Sequence, residues 1–459
     1  MGAGQTKPTK YASGVAVTAG GVPIDLETVP VRIDNVHIQG LGRTKDDYVT
    51  QAISELFKAC TFNEMVFKAS EVQRRLEKLG CFRNVGIVID TSKGENASQD
   101  GYEIIYTVQE IGRFVGGVNT MIGANEGSVI FGCRLPNLAG RGERINIEHT
   151  IGSNSNKSTM LSYMKPLGGL WNSDFTATAY HHKIPAYWSG FTTFNTGALL
   201  DLSFESAQRV RHNMQYEGTW RQLEASGRTT SFAVREQSGH SFKSAIRHVM
   251  TVDHRDHPIF PSTGVLLKLV QEYAGLGGDV AFVKHDSELQ VNIPLPFELV
   301  LQGGARFGVL RPLDARVQTQ NVSDLFFLGG PQTIRGFEMK SLGSRSGNDA
   351  LGGKAYWASA LHLYSPLPFN LGRGGFGDFF RVHGFINAGN ISDSSFNTED
   401  FAQSFQALLS NFRASYGIGL AMRLGQVARI ELNYCWPFRY SKGDRLARGV
   451  QLGLGLEFL

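Results

Sequence analysis

The residues able to ligate metal or attack an electrophile are few and scattered. Four cysteines, Cys60, Cys81, Cys133 and Cys435, form no C-x-x-C and no close spacing, so neither a zinc site nor a dithiol redox motif has a basis. They read as buried or lipid-facing free thiols, with a Cys60–Cys81 disulfide as the alternative. His181-His182 and the pair His254 and His257 have ligand-like spacing but read as loop or turn histidines. No G-x-S-x-G, H-E-x-x-H or G-x-x-x-x-G-K-[ST] occurs, and Gly352-Gly353-Lys354 is followed by Ala355 and lacks the leading glycine. No enzyme and no cofactor is indicated. One charged side chain stands out. Arg335 lies at the end of Leu325–Phe337, a run too apolar for a solvated loop, and a guanidinium carried into a protein interior needs acceptors or a carboxylate.

The elements that must position Arg335 are strands. The 459 residues include 54 Gly and 30 Phe, and only 19% are charged, against an average of about 25%. No apolar run reaches the length of a transmembrane helix. Net charge is +4 with no basic block, which gives no support for nucleic-acid binding. From residue 112 onward, stretches alternate at period two. Ala428, Ile430, Leu432, Tyr434, Trp436 and Phe438 share one face, and Arg429, Glu431, Asn433 and Cys435 share the other. Phe412 to Leu424 and Val450 to Phe458 repeat the pattern. About sixteen such stretches, long enough to cross a bilayer when tilted, predict an antiparallel transmembrane β-barrel over 112–459. One connection, 311–353, is long and contains the Arg335 segment, so it is expected to fold inward and be buried.

Residues 1–29 read as a flexible tail with neither a secretory signal nor an Arg-rich transit pattern. Residues 30–111 read as strand, helix, helix, strand, strand, a small α+β domain. Thr44 is a candidate cap for the first helix, and the second is expected over Ser70 to Leu79 with Ser70 as its cap and Gly80 past its end.

Leu328-Gly329-Gly330 followed by Ile334-Arg335-Gly336-Phe337 resembles the (V/I)RG(F/Y) signature of the BamA-type outer-membrane assembly superfamily. Asp253 to Gly264 resembles a second recurrent hairpin of that family, residues 30–111 resemble its POTRA domain, and the remainder resembles its 16-stranded barrel. One such domain and this length are similar to the mitochondrial branch, the barrel subunits of a sorting and assembly machinery. The resemblance implies an outer mitochondrial membrane location with the POTRA domain in the intermembrane space. It also implies that the Ile334–Phe337 loop tucks into the lumen. Asn387 stands where the family usually has Asp, and His362 where bacterial relatives carry Glu. With His383, these residues predict a tether for Arg335 built on amide and backbone acceptors and not on a salt bridge.

Gln451 to Phe458 matches the family's mitochondrial β-signal pattern of a polar residue, Gly and alternating hydrophobics. Closure would pair this strand, with Gln451, Gly453, Leu456 and Phe458, against the first strand, where Val115, Gly116, Gly117, Val118 and Gly123 form a Gly-rich and weakly pairing edge. The expectation is an insertase: precursors of β-barrel proteins add to that seam by β-augmentation. Partners implied are β-barrel precursors, membrane lipid, peripheral subunits of the complex and inner-membrane organising complexes. A conducting pore and a structural anchor remain open alternatives.

Overall fold

The computed structural model describes residues 17–19, 22–24, 29–54, 56–93, 98, 100–123, 126–168, 172–313, 320–368, 374–393, 401–425, 428–455 and 457–459. The stretch read as a featureless tail holds a short hairpin, β1 (Val17–Ala19) against β2 (Val22–Ile24). Two compact units follow from the contacts: residues 1–115 with 134–145, and residues 116–133 with 146–459.

The first unit carries β3 (Arg32–Gln39), α1 (Asp46–Ile53), α2 (Phe62–Lys78), β4 (Phe82–Thr91) and β5 (Gly101–Glu110). The sheet order is β3-β5-β4, with β3 parallel to β5 and β4 antiparallel to it. Met65, Ala69, Val72 and Leu76 recur at helical spacing on α2 and are buried in one core with Leu56, Ile104 and Tyr106. The helix starts eight residues earlier than Ser70 because Thr61 caps it and Glu64 reaches back to the residue before the cap. Thr61 Oγ1 accepts the Glu64 N–H at 3.3 Å, and Glu64 Oε2 accepts the Cys60 N–H at 3.1 Å. Ser70 is mid-helix and donates to the Val66 carbonyl. Gly80, past the end of α2, has φ +67°. Cys60 is exposed, Cys81 is buried, and both are free thiols.

Thr44 does not cap α1. Its hydroxyl, 2.6 Å from Glu110 Oε1, joins the N–H groups of Gly42, Arg43 and Thr44 around that carboxylate. Burial works against charge on Glu110, but these four donors outweigh it and hold the carboxyl down at about 2. Asn137, from the 134–145 stretch of the same unit, donates to Thr44 Oγ1 at 2.8 Å.

The second unit is dominated by one 16-stranded antiparallel sheet. Its strands are β6 (Val115–Gly123), β7 (Glu126–Pro136), β8 (Arg144–Gly152), β9 (Lys157–Gly168), β10 (Ser173–Ala186), β11 (Phe191–Ala207), β12 (Val210–Ala225), β13 (Gly239–Asp253), β14 (Gly264–Gly278), β15 (Phe282–Pro294) and β16 (Val300–Pro312). After a long loop that carries the small hairpin β17 (Ser344–Ser346) and β18 (Asp349–Gly352), the sheet resumes with β19 (Ala355–Ser365), β20 (Phe380–Ser392), β21 (Arg413–Leu424), β22 (Ala428–Arg439) and β23 (Gly449–Gly455). Neighbours in sequence are neighbours in the sheet, with β16 paired to β19 across the loop. On β22, Leu432, Tyr434, Trp436 and Phe438 are exposed while Glu431, Asn433 and Cys435 have at most 1% exposure. Polar groups inside and apolar groups outside are the arrangement a lipid solvent demands.

Candidate functional site

Loop segment 320–353 is packed against the lumen-facing side of the sheet. Phe326, Leu328, Ile334, Phe337 and Leu342 are buried in one cluster with Phe282, Leu310, Tyr356, Ala358, Ile391 and Leu459. Glycines on the walls make the room. A Cβ on Gly389 would lie 2.5 Å from Ile334 Cδ1 and 2.6 Å from the Trp357 carbonyl oxygen, and one on Gly453 would lie 3.0 Å from Pro331 Cβ. Gly336 has φ +84°, a left-handed conformation that suits glycine, and rests on Pro437, Ser415 and Cys435.

Arg335 has no exposed surface, yet every side of its guanidinium is met. Nε and Nη2 donate to Glu431 Oε2 at 3.1 and 2.9 Å, and Nη1 donates to the Leu459 carbonyl at 3.0 Å. Phe385 and Phe458 lie within cation–π range, at 5.2 and 5.7 Å. The Ser415 hydroxyl donates to the Arg335 carbonyl. With its amide oxygen turned toward the loop, Asn387 accepts from the Arg335 backbone N–H and from Nη1, both at 3.2 Å.

The tether is therefore a salt bridge, and the expectation of amide and backbone acceptors alone is corrected. Asn387 and Leu459 do contribute, but the charge is met by Glu431 on β22. The reason lies in register: Glu431 is on the inward face, where Arg429 also contacts its Oε1 and Asn433 donates to its Oε2 at 2.9 Å. Two guanidiniums then share one carboxylate with no solvent, a geometry in which ionised donors and acceptors bind most strongly.

His362 and His383 stack with centroids 5.3 Å apart and Nδ1 atoms 3.1 Å apart. His362 Nε2 lies 2.9 Å from the Leu459 carbonyl, so that nitrogen carries the hydrogen, and His362 Nδ1 is left to accept from His383. A Cβ on Gly419 would sit 2.6 Å from His383 Nε2 and 1.9 Å from Asn433 Oδ1.

The last strand is gripped from inside. Gln451 Oε1 accepts the Gly336 N–H at 3.0 Å while its Nε2 donates to the Phe337 carbonyl at 2.9 Å. Gln332 Nε2 donates to the Leu454 carbonyl at 2.9 Å, and the Gln332 carbonyl accepts the Leu459 N–H at 3.1 Å. This capping by Gln332 accompanies a strand that ends at Gly455, so Phe458 is not a strand residue as the alternation suggested. It is 5% exposed and packs under Arg429, 4.3 Å from the guanidinium carbon to the ring centre. Leu456 lies outside the described residues.

The structure thus brings Ile334, Arg335, Gly336, Phe337, His362, His383, Asn387, Gln451, Gly453 and Phe458 into one cluster. Val115, Gly116, Gly117, Val118 and Gly123 are not part of it. They lie on β6, at the far end of the strand order from β23. Every residue from Val115 to Met121 is exposed, on both faces, and a Cβ on Gly117 would meet nothing within 4 Å. Glu431, Ser415 and Leu459 were missed by sequence reasoning. The available signal for Glu431 was its carboxylate on the polar face of an otherwise lipid-facing strand.

Comparison with known proteins agrees with this architecture. The Omp85 superfamily domain matches residues 137–458. The chain is 44% identical over 435 residues to sorting and assembly machinery component 50 homolog B of Xenopus laevis, covering 95% of this chain and 92% of that one. It is 43% identical, with the same coverage, to the component 50 homolog of Homo sapiens. The crystal structure of BamA from Haemophilus ducreyi lacking POTRA domains 1–3 superposes with a TM-score of 0.74 at 18% identity, covering 93% of this chain and 84% of that one, a likeness of fold. A barrel of sixteen strands with an Arg335-anchored lumenal loop, and this extent of identity, place the chain in the Omp85 superfamily, among the sorting and assembly machinery component 50 homologues.

Proposed function

We propose that the protein is the barrel-assembly core of a mitochondrial outer-membrane sorting and assembly complex, and that it inserts β-barrel precursors at the seam between β6 and β23. The names of its relatives support the role in assembly. One observation carries the seam: β6 is exposed on both faces, whereas β23 at the other end of the order is seven residues long and held by the loop. A β23 of seven residues allows only a short ladder, against seventeen residues in β11. Fewer backbone hydrogen bonds make that junction the least costly place to open, and an opened edge templates another strand.

Gly116 and Gly117 weaken the pairing of β6 further, since glycine packs nothing across the ladder. A precursor strand bearing the β-signal pattern would pair there, and the next hairpins would add in turn. No covalent step or nucleotide is required, because lipid burial and completed backbone pairing in the product drive the process. In this reading the N-terminal α+β unit is a POTRA domain facing the intermembrane space, available to peripheral subunits and to inner-membrane organising complexes.

The test is a disulfide across the seam, from cysteine pairs placed along Val115–Gly123 and Gly449–Gly455, in the full chain reconstituted in lipid vesicles. Oxidation is expected to stop assembly of an added barrel precursor and reduction to restore it. Undiminished assembly with the seam locked overturns the mechanism.

A further inference from the structure

Eleven residues before Arg335 the loop buries a second charge. Asp324 is 4% exposed, and its carboxylate takes both arms of Arg221 on β12, with Nη1 at 2.8 Å from Oδ2 and Nη2 at 2.9 Å from Oδ1. Lys243 Nζ on β13 lies 3.6 Å from Oδ1, and Lys284 on β15 donates to the Asp324 carbonyl at 2.7 Å while resting 4.3 Å above the Phe326 ring. Behind them the charges continue to alternate. Lys243 pairs with Glu272 on β14, and Arg247 on β13 reaches Glu272 at 3.5 Å and Glu217 on β12 at 3.3 Å.

This arrangement is more than a neutralised charge. A two-pronged guanidinium–carboxylate pair fixes orientation as well as distance. The wall it uses, β12 to β15, is a different arc of the sheet from β19 to β23, where the tip carrying Arg335 is held. The limb around Asp324 and the tip around Arg335 therefore have separate anchors with no shared residue.

We infer that Asp324 is a second positioning residue of the lumenal loop. The Asp324–Arg221 pair sets where the limb leaves the wall and, through the ten intervening residues, where the tip rests on β22 and β23. The tip is placed from two arcs of the barrel, and Arg335 alone does not place it. This inference concerns the loop and stands whether or not the seam is the insertion site.

Native Cys435 reports on the tip: its thiol is buried against Gly336, so labelling that quickens while the unfolding midpoint stays native reads lifting of the tip and not loss of the barrel. The full chain in lipid vesicles is treated with a maleimide, and labelling of the Cys435 peptide is followed by mass spectrometry. Removing one partner of a buried pair leaves the other uncompensated, so Asp324→Asn is expected to speed Cys435 labelling about a hundredfold. Asp324→Glu, which keeps a carboxylate for Arg221 and Lys243, is expected to stay near the native rate. Native labelling in Asp324→Asn overturns the inference. If Asp324→Asn yields no folded barrel, Arg221→Gln decides, since Lys243 still compensates the buried carboxylate: quickened labelling supports the inference and native labelling overturns it.

Discussion

Arg335 Nη2 and Glu431 Oε2 lie 2.9 Å apart, ninety-six residues distant in sequence and with no exposed surface on either side chain. Glu431→Gln keeps the shape and deletes the charge, leaving Arg335 and Arg429 without a counter-ion. The barrel is expected to lose about 3 kcal/mol of stability. Unfolding of the reconstituted protein by heat, read from its loss of compact mobility in detergent gels, checks this. An unchanged midpoint would mean that Arg335 is adequately neutralised by dipoles alone.

Gln451 reads the loop backbone with both ends of its amide. Gln451→Leu removes an acceptor for the Gly336 N–H and a donor for the Phe337 carbonyl, and is expected to cost about 2 kcal/mol locally. Gln451→Glu retains the acceptor for the Gly336 N–H and loses the donor to the Phe337 carbonyl, so it tests that half of the contact alone. Amide exchange at Gly336 is the direct measurement, and it should quicken in Gln451→Leu, where the acceptor for that N–H is gone.

Two glycines with opposite surroundings give a paired test of the packing. Gly389→Ala drives a methyl into Ile334 and the Trp357 carbonyl, one of them backbone, and is expected to cost about 1–3 kcal/mol. Gly117→Ala places its methyl in open space and is expected to leave stability unchanged. Equal losses in the same unfolding assay would contradict the packing described for the loop.

Glu110 makes the turn at Gly42–Thr44 acid-sensitive. Its carboxyl sits at about 2 in the fold, below the ordinary value of 4.5, so its contribution is fully present above pH 4.5 and is lost as pH falls toward 2. Amide protection of Gly42, Arg43 and Thr44, compared with that of Ala69 in α2, should decline across that interval. In Glu110→Gln the protection should be lower at neutral pH and nearly flat with acid.

The strands were legible because their pattern has period two, and register fixes which face meets lipid. The outward row Leu432, Tyr434, Trp436 and Phe438 is the same in sequence and in structure. Three local signals misled. Ser70 resembles a cap, but Thr61, backed by Glu64, outcompetes it. Phe458 continues the outward row of β23 but is drawn inside once the loop's Gln332 occupies Leu454 and Leu459. Arg335's counter-ion was sought at Asn387, whereas Glu431 was already on the polar face of β22. Pairings between a loop and a strand ninety-six residues later have no period to announce them.

The acceptors that meet Arg335 all follow it in the chain, at Asn387, Glu431 and Leu459. During folding the guanidinium can have no complete site until the final residues arrive, so docking of the loop is a late event that reports on a finished barrel. A chain that stalls before Glu431 keeps the Asp324 limb anchored but has an undocked tip, a difference a protease can recognise.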